Sequence, residues 1–441
     1  MTLLRMFILA GSLLNFSALP AFAENLMDNI SFSAIAKSEA SVGLTKSELQ
    51  KWDISIRPEI TMDISDDLRL TAIGLGRLET RDALEPGRPG QSMRSSLSRR
   101  GYIGDRIDVE LREFYLDTSF GDTYLRLGKQ QIVWGQADGL RVLDVVNPFN
   151  FREFILDDFE DRRIPLWALN LEIPISDITA QLIWLPDQTY QQIPEPGALY
   201  AITSPRFVPA LPQNIPVSFS PAQKPGNFFA DSDVGLRLST FMGGWDLTLN
   251  YLYHYQDNAV LFQNKGPDNI ILSPEYKRSH LIGGTFSNAF GSFTLRGEIG
   301  YATGRYFLSN DPASRFGVQN TDEISYVLGL DYTGIKDMFI SAQLFQSLVT
   351  DDDPGMVRDR LDSQSTLLIE RNFMNDSLKA SVLLIHSLND GDGLAQLGVE
   401  YDLYDNMSVK ISADIFYGHR HGLFGQFSAN DRLSISFEIG I

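Results

Sequence analysis

The feature that most constrains this chain is a period of two. Trp245, Leu247, Leu249, Tyr251, Tyr253 and Tyr255 share one face of an extended strand, while Asp246, Thr248, Asn250 and His254 share the other, because successive Cβ atoms of a strand point to opposite sides. Phe293, Leu295, Gly297, Ile299 and Tyr301 alternate in the same way with Thr294, Arg296 and Glu298. Met407, Val409, Ile411, Ala413, Ile415 and Tyr417 alternate with Ser408, Lys410, Ser412 and Asp414, and Phe416 is the one apolar residue in that polar register. A soluble sandwich would have to bury Arg296 and Glu298 at high cost, whereas a hydrated lumen accepts them. Past the N-terminus no stretch approaches the ~18–20 apolar residues of a membrane helix. If such a chain crosses a membrane, it does so as a closed barrel, in which every backbone amide is satisfied by a neighbouring strand.

Connection lengths carry a second, independent signal. Short turns fall near Ser65-Asp66-Asp67, Phe120-Gly121-Asp122, Ser176-Asp177, Met242-Gly243-Gly244, Asn288 to Gly291, Thr333 to Lys336, Phe373 to Asp376 and Tyr404-Asp405-Asn406. Long segments lie between them, at 80–107, 135–163, 186–230, 256–279, 303–322, 347–363, 387–393 and 418–430. Short periplasmic turns and long extracellular loops are the asymmetry of outer-membrane barrels. Residues 31–44 supply a first strand and Leu433 to Ile441 a last one. The expected fold is therefore all-β, a transmembrane antiparallel β-barrel of about eighteen strands, with sixteen as the alternative count. Tyr253, Tyr255, Tyr301 and Tyr417 are expected in the outer aromatic girdle, and Trp245, Tyr332 and Tyr401 in the inner one.

Residues 1–23 read as a secretory signal, with Arg5, an apolar run from Met6 to Leu14 and Ala21-Phe22-Ala23 before Glu24. The barrel is then 24–441, placed by export in a bacterial outer membrane. The chain has no Cys, so it cannot carry a lipoprotein anchor. Loss of Arg5 takes the formal charge from -19 to -20. So acidic a chain is not a nucleic-acid binder, which needs a basic face. Its acidic loops face the divalent cations that bridge lipopolysaccharide, or are simply solvated.

The richest stretch runs from Gly128 to Pro165. Asn147 can cap, and Pro148 can open, one short helix in this long loop. That would set Phe151, Phe154, Ile155 and Phe159 on one face. An isolated short helix does not persist in water, so this face must dock. Docked inside the barrel mouth, it places Asp138, Arg141, Asp144, Arg152, Asp157, Asp158, Arg162 and Arg163 at a constriction; docked on the rim, it touches no solute. Arg237, Asp246, Arg296, Glu298, Lys410 and Asp414 project into the lumen from the strands. Nine prolines in 186–230 exclude ladder pairing there and favour an extended lid. Asp351 to Gly355 and Asn389 to Gly393 could hold calcium, but lack the final bidentate Glu of an EF-hand, and ordinary turn chemistry explains them.

Gly128-Lys129-Gln130-Gln131-Ile132-Val133-Trp134-Gly135, running into Val145-Val146-Asn147-Pro148 with Ser65 to Gly74 upstream, resembles a family of large, mostly uncharacterised proteobacterial outer-membrane porin-like proteins, defined as a domain of unknown function. The resemblance covers residues 45–175. It implies an outer-membrane barrel handling hydrophobic or lipid-like solutes, and supplies no binding residues. General porins, whose third loop folds inward, offer a looser likeness. The sequence thus reads as a passive channel for small solutes needing no cofactor or metal, with outer-membrane lipids, lipopolysaccharide and the barrel-assembly machinery as partners. A receptor or adhesin with an occluded lumen is the alternative. A lipid hydrolase is disfavoured, since none of the five His stands beside a nucleophile-elbow pattern. A plugged transporter lacks room for its plug.

Overall fold

The computed structural model describes residues 29–441, apart from residues 210, 211, 213, 267, 313, 315 and 352. Residues 1–23, expected to be a secretory signal, and Asp352 lie outside the described residues. Eighteen strands form one closed antiparallel barrel. In chain order they are Ile30–Gly43, Leu49–Ser65, Leu68–Glu79, Ile107–Phe120, Thr123–Gln130, Leu166–Ile175, Ile178–Leu185, Asp233–Met242, Trp245–Tyr255, Arg278–Phe290, Phe293–Leu308, Val318–Tyr332, Met338–Val349, Leu361–Phe373, Leu378–Ser387, Gly393–Tyr404, Met407–Tyr417 and Arg432–Gly440. The ring closes where the first strand pairs with the last, from Ile35 opposite Gly440 to Gly43 opposite Arg432.

All eight expected short turns lie at one end of the barrel and the long connections at the other. The alternation sets the faces. Leu249, Ile299 and Ile411 stand exposed on the outer wall, while Asn250, Glu298 and Asp414 are buried on the inner one. Aromatics collect near strand ends: Tyr253 stacks on His280, Tyr417 on His386, and Phe293 packs on Tyr332.

Three expectations need correction. Strands Phe293–Leu308 and Val318–Tyr332 continue past the membrane register, so the loop expected at 303–322 shrinks to 309–317. The segment 256–279 contains a hairpin, Val260–Lys265 with Ile270–Glu275. The proline-rich segment does pair, because Val217–Phe219 falls between Pro216 and Pro221 and adds to that hairpin in parallel. Three proline-free residues suffice for one short rung.

Candidate constriction in the barrel lumen

The third connection at the long-loop end, residues 131–165, enters the barrel. Gly128 starts the turn inward: its φ of 136° is one that other residues avoid, and a Cβ there would lie 2.2 Å from the Phe114 carbonyl oxygen. Asn147 ties the two stems of the loop together. Its Oδ1 accepts from the Ile132 amide at 2.7 Å, and its Nδ2 donates to the carbonyls of Ile164 at 2.9 Å and Gln130 at 3.3 Å. With Asn147 so engaged, no helix opens at Pro148. The Pro148 carbonyl instead accepts from Ile164, and the Asn150 amide donates to Arg162, each at 2.8 Å. The loop does hold one short helix, but it is the four-residue turn Phe159–Arg162. The expected single aromatic face is accordingly split. Phe154 and Ile155 join one apolar cluster, while Phe151 and Phe159 each pack on Phe149.

The first half of the loop crosses to the far wall. Trp134 donates from its indole to Gln181 at 2.9 Å. The Glu298 carboxylate accepts from the backbone amides of Gln136 and Leu143. Arg296 donates to the Gln136 carbonyl and to Asp138, and Gln343 donates to Asp138 at 2.7 Å. Leu143, Trp134 and Val146 form a dry cluster with the inward-facing Leu252 and Leu281.

The second half sweeps the opposite side. Arg152 donates to Asp53 at 2.9 Å and to Glu79 at 3.3 Å. Glu153, 1% exposed, is gripped by Lys51 and Arg432, each at 2.7 Å. Phe154 packs among Tyr200, Phe416, Phe424 and Phe427. Phe416, the residue that broke the polar register, thus receives the loop. Burial opposes the Glu153 charge, but Lys51 and Arg432 outweigh it and hold the carboxyl well below the usual range. Burial, followed by the Glu153 charge, pushes Asp157 up to about 6. Burial pushes Arg162 down to about 10, against the pull of Asp157.

Of the residues singled out in the sequence, Asp138, Arg296 and Glu298 meet in the first half of the loop. Asp144 pairs with Arg163 at 2.7 Å. Arg141 and Arg162 lie over the Phe149 ring at 4.0 and 5.2 Å. Arg237 reaches the Val133 carbonyl at 3.5 Å, while Asp246 stands exposed near the short-turn end. Asp157, Asp158, Arg162, Lys410 and Asp414 line a cavity of about 360 Å³ beneath the loop. A second cavity of about 370 Å³ holds Arg57, Arg77, Arg112 and Arg152, with Asp157 and Asp158 common to both. Both sizes suit a small solute.

The alternation also contained residues that were not singled out. Lys51 and Asp53, and Asp108, Glu110 and Arg112, stand two apart in the lumen register and carry much of the ionic network. Charges at every second position of a strand were the signal. The acidic turns serve the backbone, with Asp392 accepting from the amides of Phe424 and Gly425.

The comparisons with known proteins return barrels of the same kind. The family model described as "Protein of unknown function (DUF1302)" matches residues 81–352, well over half of the sequence. The chain belongs to this family. The match in DUF1302 runs far past residue 175, where the resemblance in the sequence became generic. Among solved structures, the chain is similar to OccAB2 of Acinetobacter baumannii, at 11% identity and a TM-score of 0.54 over 94% of this chain and 98% of that one. It is similar to Pseudomonas aeruginosa OpdK with vanillate, at 10% identity and a TM-score of 0.52 over 94% and 99%. OccK2 (OpdF) of Pseudomonas aeruginosa gives 12% identity and a TM-score of 0.52 over 94% and 98%. At such identities the likeness establishes the outer-membrane porin type of barrel fold. No curated protein matches the sequence.

Proposed function

We propose that this protein is a passive outer-membrane channel for small solutes, its passage narrowed by the third loop, and that the solutes include hydrophobic or lipid-like molecules. The observation that carries this reading is the position of residues 131–165 inside the barrel, above two solute-sized cavities with mixed charged and apolar linings. Passive passage asks only for a lining that replaces water's hydrogen bonds without gripping the solute. The OpdK structure with vanillate supports a small solute for this type of barrel. The short turns then face the periplasm, and the outer wall meets lipid and lipopolysaccharide after insertion by the assembly machinery.

Planar-bilayer conductance, followed by liposome swelling with sugars, amino acids and fatty acids, tests the reading. Stable ion steps and size-graded swelling are expected. The apolar cluster that joins the third loop to Tyr200 and Phe424 from two other loops favours one rival, a receptor with an occluded lumen. Electrical silence from a fully folded protein would favour that rival or a narrow apolar conduit.

A further inference from the structure

The barrel wall is not hydrogen-bonded strand to strand throughout. On one edge of Ile107–Phe120, the ladder with Thr123–Gln130 stops at Phe114 opposite Lys129. The short strand Gly101–Ile103 takes up that edge again only at Val109. Residues 110–113 between them have no strand partner on this side. The Leu111 carbonyl accepts instead from the Lys129 ammonium at 2.6 Å.

Side chains close the interval. Arg94 reaches in from the loop before Gly101 and pairs with Glu110 at 2.9 Å, and Lys129 stands 3.5 Å from the same carboxylate. Ser98 donates to Asp187 at 2.6 Å, and the Trp167 indole donates to the Leu97 carbonyl at 3.1 Å. The outer surface of this interval is apolar: Leu97 is 56% exposed, Leu111 46% and Phe114 36%. Such a surface belongs in hydrocarbon, where irregular backbone is otherwise excluded because its polar groups go unpaired. Here the Lys129 ammonium satisfies the Leu111 carbonyl, and the other links across the interval are made by side chains, so it can part without breaking a ladder.

On the inner side, Arg112 lines the second of the two cavities. Its guanidinium donates to the carbonyls of Glu160 and Arg163, and among the described residues it pairs with no carboxylate. An anionic group can therefore rest on Arg112 while a hydrocarbon chain lies outward along Leu111, Leu97, Phe114 and Trp167.

We propose that this interval is a lateral door through which a single-chain amphiphile with an anionic head passes between the lumen and the membrane. The proposal rests on the channel reading and names a route and a ligand class for it. The chain has no Cys, so Ser98→Cys with Asp187→Cys gives a unique pair that a short bifunctional thiol reagent can tether.

The probes are a photoreactive long-chain carboxylate, the alkyl phosphate and the alcohol of the same length, applied to the full chain in lipopolysaccharide-containing membranes. Labelled peptides are mapped, and potassium chloride conductance is recorded in parallel. Carboxylate labelling is expected on peptides 94–114 and on Trp167, and tethering should reduce it to the level of vesicles without protein while conductance stays unchanged. Equal labelling by the phosphate widens the head to any anion; its absence assigns a carboxylate. Labelling spread evenly around the outer wall, equal labelling by the alcohol, or labelling indifferent to the tether overturns the door. So does a tether that abolishes conductance as well. Tether-sensitive labelling from a protein that never conducts supports the door and removes the channel reading alone.

Discussion

Replacing Phe154 with Ala should release the third loop from the wall. The ring is 4% exposed and lies 4.8 Å from Phe427, 5.9 Å from Phe424 and 6.2 Å from Phe416. Truncating a buried Phe costs about 3–5 kcal/mol. The ring belongs to the docked state of the loop and not to the strand ladder, so the loss falls on docking. At about 1.4 kcal/mol per tenfold, the undocked population rises by roughly two to three and a half orders of magnitude. The barrel itself should still fold.

A second substitution separates packing from backbone. Phe154 has a φ of 55°, a conformation that costs a residue with a Cβ about 1–2 kcal/mol. Phe154→Gly loses the same ring but relieves that strain, so it should undock less than Phe154→Ala. Hydrogen exchange over residues 149–163 and single-channel recording provide the assay. Faster exchange confined to that segment, with noisier or larger conductance in the order Ala above Gly above wild type, is expected. Unchanged exchange and unchanged current in Phe154→Ala would show that the ring does not hold the loop.

Asp157 titrates at about 6, above its ordinary 3.8. The docked state therefore binds more protons between those values, and docking weakens as pH rises through that window; protection of the same segment, after correction for the intrinsic pH dependence of amide exchange, should be greater at pH 5 than at pH 7.5, and Asp157→Asn should erase that difference. Arg152→Met strands Asp53 and Glu79 without their cation and should cost about 3–5 kcal/mol, read as a lower temperature for loss of the folded gel mobility. Arg57→Met, which removes an exposed pair with Asp161, should cost about 0–1 kcal/mol in the same assay. Gly128→Ala cannot keep its backbone against Phe114, so the yield of refolded barrel should fall sharply while Gly226→Ala, with open space around it and no positive φ, folds with little loss.

The period of two, read with the turn spacing, was enough to place the barrel, its strand count and its short turns, because both are local consequences of strand geometry. Arg296, Glu298 and Asp414 were assigned to the lumen for the same reason. The course of the third loop was not legible. Whether Asn147 caps a helix or braces two stems depends on Gln130, Ile132 and Ile164 meeting in space. Phe416 looked like an error in the pattern until Phe154 gave it a partner from far along the chain. Lys51, Asp53 and Arg432 were visible as inward charges, but their importance comes from the loop that they receive.

Glu153 stands between Lys51 of the second strand and Arg432 of the last, beside the place where the two ends of the sheet meet. Full pairing of this carboxylate needs both ends of the sheet in place, so a ring left unclosed would offer residues 131–165 only part of their seat.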